Sequence, residues 1–402
     1  MQNARPYQTR AMRSLLAFAL SVSISFAAAA QTPQPPELAA KSYLLLDLTT
    51  GQTLVERDAD ASADPASLTK LMTAYIVFGA IRDKKLTLEQ TLPVSMRAWA
   101  ERKGGGSLMF IDTTMTPKVE ELVRGMVVQS GNDASVALAE GVAGTLDQFV
   151  AMMNRQAQAW GLKNTVFKNV TGLTEAGHKS TARDLAVIAS HIITDHPDFY
   201  PTYSIKEYKY NNISQPNRNL LLRRDPSVDG MKTGYTEAAG YCLIASAVRA
   251  FPNLGQTGSA AGGKRRLLSV VLNTTSMEAR ASESQKLLNW GFQAFDAVRL
   301  FDDGKPMATP EVWKGTAKQV SLGVPGGLFV NVPKGEGGRL QTKIERTEPL
   351  VAPLAKGQRV GTVKVTTTAG APVSELPLVV LEPVAQAGIF GRAWDSLRLW
   401  VR

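Results

Sequence analysis

Three short motifs occur in a fixed order along the chain, and each contains residue types that can take part in acyl transfer. They are Ser67-Leu68-Thr69-Lys70, Ser130-Gly131-Asn132 and Lys232-Thr233-Gly234. Each motif alone is short enough to occur by chance in a chain of 402 residues. Together and in this order they match the motif set of enzymes that use a serine nucleophile activated by a lysine. The set supplies a nucleophile, a base, a proton relay and a carboxylate anchor without any histidine.

Ser67 and Lys70 supply the candidate nucleophile and its base. Residues 67–82 are largely apolar, with no Gly or Pro before Gly79, which predicts a buried helix with Ser67 in its first turn. Side chains three residues apart on a helix share one face, so the amine lies beside the hydroxyl. Burial and a second cation, here Lys232, lower a lysine pKa enough for it to act as a base. The alternative is an ordinary surface serine and lysine, and the other two motifs argue against it.

Ser130 and Asn132 lie between two predicted amphipathic helices, Lys118–Val128 and Ala134–Val142. A short turn between helices can direct a hydroxyl and an amide into a cleft. Ser130 can then relay a proton to a leaving amine, and Asn132 can hold a substrate carbonyl. Helix capping is the alternative role for both residue types.

The third motif lies in a predicted hairpin formed by Val228–Tyr235 and Tyr241–Val248. Gly234 allows an extended substrate to lie along the strand edge, where backbone groups can bind it. Lys232 and Thr233 are then placed to meet a substrate carboxylate. The alternative, an exposed lysine that protects a sheet edge from aggregation, does not explain the other two motifs.

With these motifs the chain resembles the D-alanyl-D-alanine carboxypeptidases, low-molecular-mass penicillin-binding proteins of the type-5/type-6 group. The resemblance runs from about residue 38 onward and implies an α/β fold of the serine β-lactamase/penicillin-binding transpeptidase type, an antiparallel sheet flanked by helices. Further strings that read as this family are Gly106-Ser107-Leu108-Met109-Phe110, Gln129-Ser130-Gly131-Asn132-Asp133, Ser180-Thr181-Ala182-Arg183-Asp184, Gln215-Pro216-Asn217-Arg218-Asn219, Val228-Asp229-Gly230-Met231-Lys232-Thr233-Gly234 and Lys286-Leu287-Leu288-Asn289-Trp290-Gly291-Phe292.

The resemblance implies a role for each matching catalytic residue. Ser67 forms the acyl-enzyme, and Lys70 acts as the general base. Ser130 passes a proton to the departing D-alanine, while Asn132 orients the peptide.

The resemblance also implies a carboxylate site and an oxyanion hole. Lys232 and Thr233 bind the terminal carboxylate, together with Arg280, whose guanidinium suits a bidentate contact. The backbone N–H groups of Ser67 and Tyr235 form the oxyanion hole. Because only the backbone is used at residue 235, its side chain is free to vary.

Two features depart from the family pattern. Tyr235 stands where the family usually has His or Thr. Phe251–Gly263 is a glycine-rich connection, longer than the family's usual one, between Tyr241–Val248 and a third predicted strand, Leu267–Asn273. This composition predicts a flexible hairpin tip, with partner binding as the alternative.

The N-terminal residues indicate export. Three arginines precede an apolar run at residues 15–30 that ends in Ala28-Ala29-Ala30. This pattern predicts a secretory signal peptide, residues 1–30, with cleavage after Ala30. An uncleaved anchor is the alternative, although the run is short for a transmembrane helix. With the resemblance, export implies a peripheral protein on the periplasmic face of the inner membrane.

The amino-acid composition indicates which classes of partner and cofactor to expect. The net charge of +10 suits an anionic membrane surface or wall polymer, whereas the dispersed basic residues and the export argue against nucleic acid. Cys242 is the single cysteine, so no internal disulfide forms, and a buried free thiol is expected. His178, His191 and His196 show no zinc-ligand spacing. We expect no metal and no organic cofactor.

A change in composition near residue 300 divides the part of the chain that follows the signal peptide. Residues 31–299 form the predicted catalytic D,D-peptidase domain, residues 300–384 a small β-sandwich, and residues 385–402 a C-terminal amphipathic helix. The sandwich prediction depends on short apolar runs between Gly and Pro residues. These runs are Lys318–Leu322, Leu328–Val332, Leu340–Glu345, Arg359–Thr367 and Leu376–Leu381.

The final segment, Ile389–Arg402, has its large apolar residues on one helical face, with Leu399 as the only large exception. As a helix it spans about 21 Å, too short to cross a bilayer but suited to lying in its interface. A helix packed on the sandwich is the alternative.

We therefore predict a membrane-anchored serine-type D-Ala-D-Ala carboxypeptidase that trims peptidoglycan pentapeptides and is inhibited covalently by β-lactam antibiotics. A D,D-endopeptidase shares all three motifs and is one alternative. A serine β-lactamase is another, but the E-x-x-L-N loop of class A enzymes is not found between Asp133 and Asp229. A non-enzymatic wall-binding protein would be expected to have lost Ser67 or Lys70.

Overall fold

The structure is a computed structural model of the chain, and it describes residues 33–250 and 263–400. The predicted signal peptide, residues 1–30, lies outside the described residues. So does almost all of the predicted hairpin tip, of which only Gly263 is described.

A five-stranded antiparallel sheet forms the centre of the first domain. Its strands are β1 Ser42–Asp47, β2 Gln52–Arg57, β5 Val228–Thr236, β6 Gly240–Ala250 and β7 Lys264–Thr274. The strand order is β2-β1-β7-β6-β5, so β5, which carries the third motif, is an edge strand. The predicted hairpin and third strand are confirmed. A separate hairpin is formed by β3 Glu207–Tyr210 and β4 Ile213–Pro216.

Side chains of β6 and β7 alternate between two apolar cores, one on each face of the sheet. Ile244 and Leu268 belong to the larger core, which contains most of the helices, and Leu243 and Leu267 belong to the smaller one beneath α8. The helices are α1 Lys70–Arg82, α2 Met96–Ala100, α3 Val119–Val128, α4 Asn132–Ala143, α5 Leu146–Ala159, α6 Ala182–Asp195, α7 Leu221–Arg224 and α8 Met277–Ala294. The predicted α/β fold is confirmed.

The predicted helix over residues 67–82 differs at its start. Ala66–Thr69 forms a 3-10 turn, and α1 begins only at Lys70. In a 3-10 turn the side chains at i and i+3 eclipse each other, so Ser67 and Lys70 remain on one face. α1 is buried around most of its circumference, which its apolar sequence requires.

Within the described ranges, no single helix is both long and apolar enough to cross a membrane. α4 and α5 pass that test only as a pair, and they are bent by 85° at the break between them.

The second domain is rich in β-structure. Its strands are β8 Phe295–Phe301, β9 Val312–Trp313, β10 Leu322–Gly323, β11 Leu328–Pro333, β12 Leu340–Arg346, β13 Leu350–Val351, β14 Arg359–Thr367 and β15 Pro372–Val380. A four-stranded sheet, β10-β15-β14-β12, shares one apolar core with the β8–β11 pair. Two layers around one core correspond to the predicted sandwich.

Two predictions for this domain, one on its first boundary and one on a strand, differ from the structure. β8 pairs with β11, so the predicted domain boundary between residues 299 and 300 falls inside a strand of the second domain. The predicted strand Lys318–Leu322 is wrong, because only Leu322–Gly323 forms a strand there. The Pro310 carbonyl accepts a hydrogen bond from the Val320 N–H, but proline has no N–H with which to donate one to the segment that contains Val320. A continuous ladder of hydrogen bonds therefore does not form there.

The buried guanidinium of Arg265 joins the two domains. Arg265 Nε donates to Asp47 Oδ2 at 2.7 Å, and both side chains are excluded from solvent. The same guanidinium donates to the Phe295 carbonyl at 2.9 Å and to Asn331 Oδ1 at 2.8 Å. Because Phe295 and Asn331 belong to β8 and β11, this one side chain connects the central sheet to the second domain.

The last helix is α9, Ile389–Trp400. It corresponds to the predicted amphipathic segment except for residues 401 and 402, which lie outside the described residues. Its large apolar residues on one face are exposed: Ile389, Phe390, Trp394, Leu397 and Trp400.

Candidate active site

The three motifs converge on one cleft of about 360 Å³ beside the edge strand β5. Lys70 and Lys232 lie beneath it and are 1% and 3% exposed. The other predicted site residues line the cleft, and they are Ser67, Ser130, Asn132, Thr233, Gly234, Tyr235 and Arg280.

Lys70 is held by three oxygen atoms. Its Nζ atom lies 3.0 Å from Ser67 Oγ, 2.7 Å from Asn132 Oδ1 and 2.7 Å from the Thr171 carbonyl oxygen. The last two oxygens can only accept hydrogen bonds. A neutral amine therefore donates both of its hydrogens to them and directs its lone pair at the Ser67 hydroxyl. This geometry lets Lys70 take the Ser67 proton without moving.

The electrostatic environment favours the neutral form of the Lys70 amine. Burial lowers the pKa of Lys70 to about 7, with Glu101 opposing the shift and Arg218 adding to it. Lys232 is the second cation predicted for this site, and Arg218 is a further neighbouring charge that lowers the pKa of Lys70. Burial, followed by repulsion from the Lys70 charge, holds the pKa of Lys232 well below its usual range.

Ser130 is paired with the second lysine. Lys232 Nζ donates to Ser130 Oγ at 2.9 Å and to the Thr233 carbonyl at 3.1 Å. Ser130 has a φ of 61°, in the left-handed region that a residue with a side chain seldom adopts. The neighbouring Asn132 N–H donates to the Ser107 carbonyl at 2.7 Å, which helps to hold this turn in place. The Nδ2 group of Asn132 is buried without a hydrogen-bond partner in the described structure, so it is available to a substrate carbonyl.

Gly234 allows β5 to approach the nucleophile closely. A Cβ atom at this position would lie 3.1 Å from the Pro65 carbonyl oxygen and 3.3 Å from the Ala66 Cβ atom. The absence of a side chain brings the backbone of Tyr235 beside the 3-10 turn that carries Ser67. Backbone N–H groups at the start of such a turn have no partner within it and can face a developing negative charge.

Two guanidinium groups line the cleft together. Arg280 Nη1 donates to the Gly234 carbonyl at 3.0 Å, and Arg218 donates to Ser107 Oγ. Burial lowers the pKa of Arg280 to about 10 and also lowers the pKa of Arg218. Both guanidinium groups nevertheless remain cationic at neutral pH. With Lys232 nearby, this part of the cleft is suited to a carboxylate.

Sequence reasoning missed three residues that organise the site. Arg218 lies in a string noted above as resembling the family, but that pattern alone gave it no role. Asp133 accepts hydrogen bonds from the backbone N–H groups of residues 109–111 at 2.8–3.1 Å and so orders the segment that carries Ser107. Thr171 acts through its backbone carbonyl, which no side-chain pattern could indicate.

The mouth of the cleft is aromatic. The Tyr235 side chain is 52% exposed, and its ring centroid lies 4.3 Å from that of Tyr241. The Arg280 guanidinium lies 5.5 Å from the Tyr241 ring centroid. Tyr235 therefore contacts the cleft both through its backbone and through this stack.

The fold and the site define a serine hydrolase of the penicillin-binding class. Residues 29–276 match the sequence pattern of the family described as D-alanyl-D-alanine carboxypeptidase. Residues 295–386 match that of the penicillin-binding protein 5 C-terminal domain. The chain belongs to the D-alanyl-D-alanine carboxypeptidase family of serine peptidases.

Individual relatives agree with this assignment. The chain is 41% identical over 377 residues to D-alanyl-D-alanine carboxypeptidase DacC of Escherichia coli strain K12, covering 92% of this chain and 91% of the relative. Penicillin-binding protein 5 from Haemophilus influenzae superposes with a TM-score of 0.79 at 39% identity, over 88% of this chain and 99% of that one. Penicillin-binding protein D2 from Listeria monocytogenes in its ampicillin-bound form superposes with a TM-score of 0.55 at 32% identity, over 64% of this chain and 100% of that one.

Proposed function

We propose that the chain removes the terminal D-alanine from peptidoglycan pentapeptides through an acyl-enzyme on Ser67. The observation that carries this proposal is the 3.0 Å contact between Lys70 Nζ and Ser67 Oγ, with the other two Lys70 contacts made by acceptors. Lys70 takes the hydroxyl proton as Ser67 Oγ attacks the carbonyl carbon of the penultimate residue. Ser130 passes a proton to the leaving nitrogen, the C–N bond breaks, and D-alanine departs. Water then hydrolyses the ester and restores Ser67.

The cationic part of the cleft supports a preference for a free C-terminal carboxylate. Arg280 and Arg218 place positive charge near Thr233, whose hydroxyl can donate a further hydrogen bond. A substrate that lacks the carboxylate leaves these buried charges without an anion, which disfavours its binding. This charge distribution favours substrates whose leaving residue carries a free carboxylate.

β-Lactam antibiotics are proposed to acylate the same Ser67. A strained lactam amide presents a carbonyl to the nucleophile and a carboxylate to Lys232 and Arg280. Ampicillin bound to a relative with the same fold supports this part of the proposal.

We also propose that the protein is exported and lies on the periplasmic face of the inner membrane. The signal-like residues 1–30 and the exposed apolar face of α9 support this location. The opposite side of α9 contacts the second domain: Asp395 Oδ2 accepts the Lys314 N–H at 2.7 Å, and Arg398 lies 5.1 Å from the Trp313 ring centroid. Leu399, the apolar exception on the helical wheel, lines a pocket with Trp313 on that side. The wider apolar face is therefore left for lipid.

The proposal is tested by incubating the purified chain with a defined pentapeptide and with a cross-linked peptide dimer, and weighing the products. We expect loss of a single alanine from the pentapeptide and little cleavage of the cross-link. Ser67→Ala is the matched control, and it should lose both peptide hydrolysis and covalent labelling by penicillin while keeping its melting temperature. Labelling that persists in Ser67→Ala, or no product from either peptide, would contradict the proposal.

A further inference from the structure

His178 is buried beside the nucleophile, although the proposed acyl transfer does not use it. It belongs to residues 160–181, which join α5 to α6 and are called here the Thr171 loop. His178 Nε2 lies 2.8 Å from Thr69 Oγ1, and His178 Nδ1 accepts the Lys168 backbone N–H at 3.0 Å. A backbone N–H can only donate, so Nδ1 carries no proton and the Nε2–H group donates to Thr69.

Thr69 is in the 3-10 turn of the nucleophile, and the helix that follows contacts the same loop twice more. Lys70 Nζ donates to the Thr171 carbonyl at 2.7 Å, and Thr73 Oγ1 donates to the Val170 carbonyl at 2.8 Å. The histidine contact is thus one of three hydrogen bonds that hold the loop against this segment. It is the only one of the three in which a loop side chain, rather than a loop carbonyl, makes the contact.

The loop and the turn approach each other very closely. Gly172 has a φ of 85°, and a Cβ atom there would lie 1.7 Å from the Ala66 carbonyl oxygen. A small displacement of the loop therefore changes the position of the Thr171 carbonyl relative to Lys70.

We propose that His178 is a positioning residue that, through Thr69, fixes the Thr171 loop so that its carbonyl keeps the Lys70 lone pair directed at Ser67. This inference rests on the proposed function, because it assigns His178 a part in acylation. It goes beyond that function, since His178 touches neither the substrate nor the reacting atoms.

The loop has internal hydrogen bonds that do not depend on His178. Asn169 Oδ1 accepts the Gly172 N–H at 2.7 Å, and Asn169 Nδ2 donates to the Leu173 carbonyl at 3.0 Å. Loss of the histidine contact should therefore loosen the loop against the turn at Thr69 without unfolding it. Burial lowers the pKa of His178 to about 4, while the nearby Glu175 and Asp64 charges oppose that shift, so the ring is neutral where the enzyme works.

Two variants separate the two ring contacts. His178→Gln keeps a donor at the place of Nε2, whereas His178→Asn keeps an acceptor at the place of Nδ1 but does not reach Thr69. We expect His178→Asn to lower the maximal rate of acylation by labelled penicillin about three- to tenfold, and His178→Gln to lower it less than about twofold. Lys70 also loses an acceptor that favours its ammonium form, so the acid limb of the pH–rate profile should move to lower pH in His178→Asn.

Thr69→Val tests the same contact from the other side, so the test does not depend on His178→Asn folding. His178→Asn, Thr69→Val and the variant that combines them form a double-mutant cycle. The combined variant should lose no more of the acylation rate than either single variant. Additive losses, equal losses in the Gln and Asn variants, or a wild-type rate and acid limb in His178→Asn would overturn the inference. Wild-type protein that neither binds penicillin nor cleaves the pentapeptide would instead refute the proposed function.

Discussion

The Nζ atom of Lys70 lies 3.0 Å from the Oγ atom of Ser67. A second lysine, Lys232, makes the corresponding contact with Ser130 at 2.9 Å. Each serine hydroxyl of the site thus has its own buried amine, and the two amines repel each other when both are charged. The site is therefore most stable with one of the two lysines neutral, the state that a lysine base requires.

Acylation should depend on pH through Lys70. Since burial lowers the pKa of Lys70 to about 7, the neutral base is lost below that pH and present above it. We expect the rate of penicillin acylation to rise as the pH increases through about 7 and then to level off. Lys70→Arg retains a cation that cannot lose its proton, and it should be slower by about 10²–10⁴-fold. Stopped-flow labelling across this range measures both effects, and a flat wild-type profile would contradict the assigned base.

Asn132 should influence the same acid limb through charge. Its Oδ1 atom lies 2.7 Å from Lys70 Nζ, so Asn132→Asp places a carboxylate against the ammonium form and raises the pKa of Lys70. We expect the midpoint of the pH–rate profile to move upward in this variant. Asn132→Ala is the control, because it removes the acceptor without adding charge and should not raise the midpoint. A rise of equal size in both variants would exclude the electrostatic explanation.

More of the chemistry of this site than of its geometry could be predicted from the sequence. Ser67, Ser130 and Lys232 are marked by motifs because the roles proposed for them belong to their side chains. Thr171 contributes only a carbonyl, which every residue has, and its place depends on how the loop packs against the 3-10 turn. Arg218 could not be linked to Lys70 because its electrostatic effect on Lys70 arises only when distant parts of the chain fold together.

The same limit applies to the domain boundary. β8 follows α8 directly, and nothing in its composition shows that it pairs with β11 rather than with the central sheet. Arg265 likewise looks like one of several basic residues at the start of a strand. Its burial against Asp47 follows from tertiary packing alone.

Arg265 should be important for stability. Arg265→Met leaves the Asp47 carboxylate buried without its partner, which costs about 3–5 kcal/mol in the free energy of unfolding. Arg183→Met is the matched control, since it breaks the partly exposed pairs with Glu56 and Asp60 and should cost at most about 1 kcal/mol. Denaturant unfolding measures both values. Equal losses in the two variants would show that the buried pair has no special role.

The apolar face of α9 should determine membrane binding. Deleting Gly388–Arg402 should release the protein into the soluble fraction without changing its activity on small peptides, because α9 is not among the elements that line the catalytic cleft. Trp394→Glu places a charge on the exposed apolar face and should weaken sedimentation with anionic vesicles. Ser396→Glu adds the same charge outside that face and should have a smaller effect. A truncated protein that still sediments with vesicles would contradict the anchoring role of α9.

Tyr235 should act mainly through its backbone. If its N–H stabilises the oxyanion, Tyr235→Pro removes that donor and should slow acylation by about 10²–10³-fold. Tyr235→Thr and Tyr235→His keep the N–H but lose the phenol ring that packs against Tyr241 at 4.3 Å between ring centroids. We expect these two variants to change peptide turnover or deacylation without blocking either, since the exposed ring lies at the mouth of the cleft. Steady-state rates and penicillin release rates distinguish the cases, and equal rates for the Pro and Thr variants would rule out a backbone role.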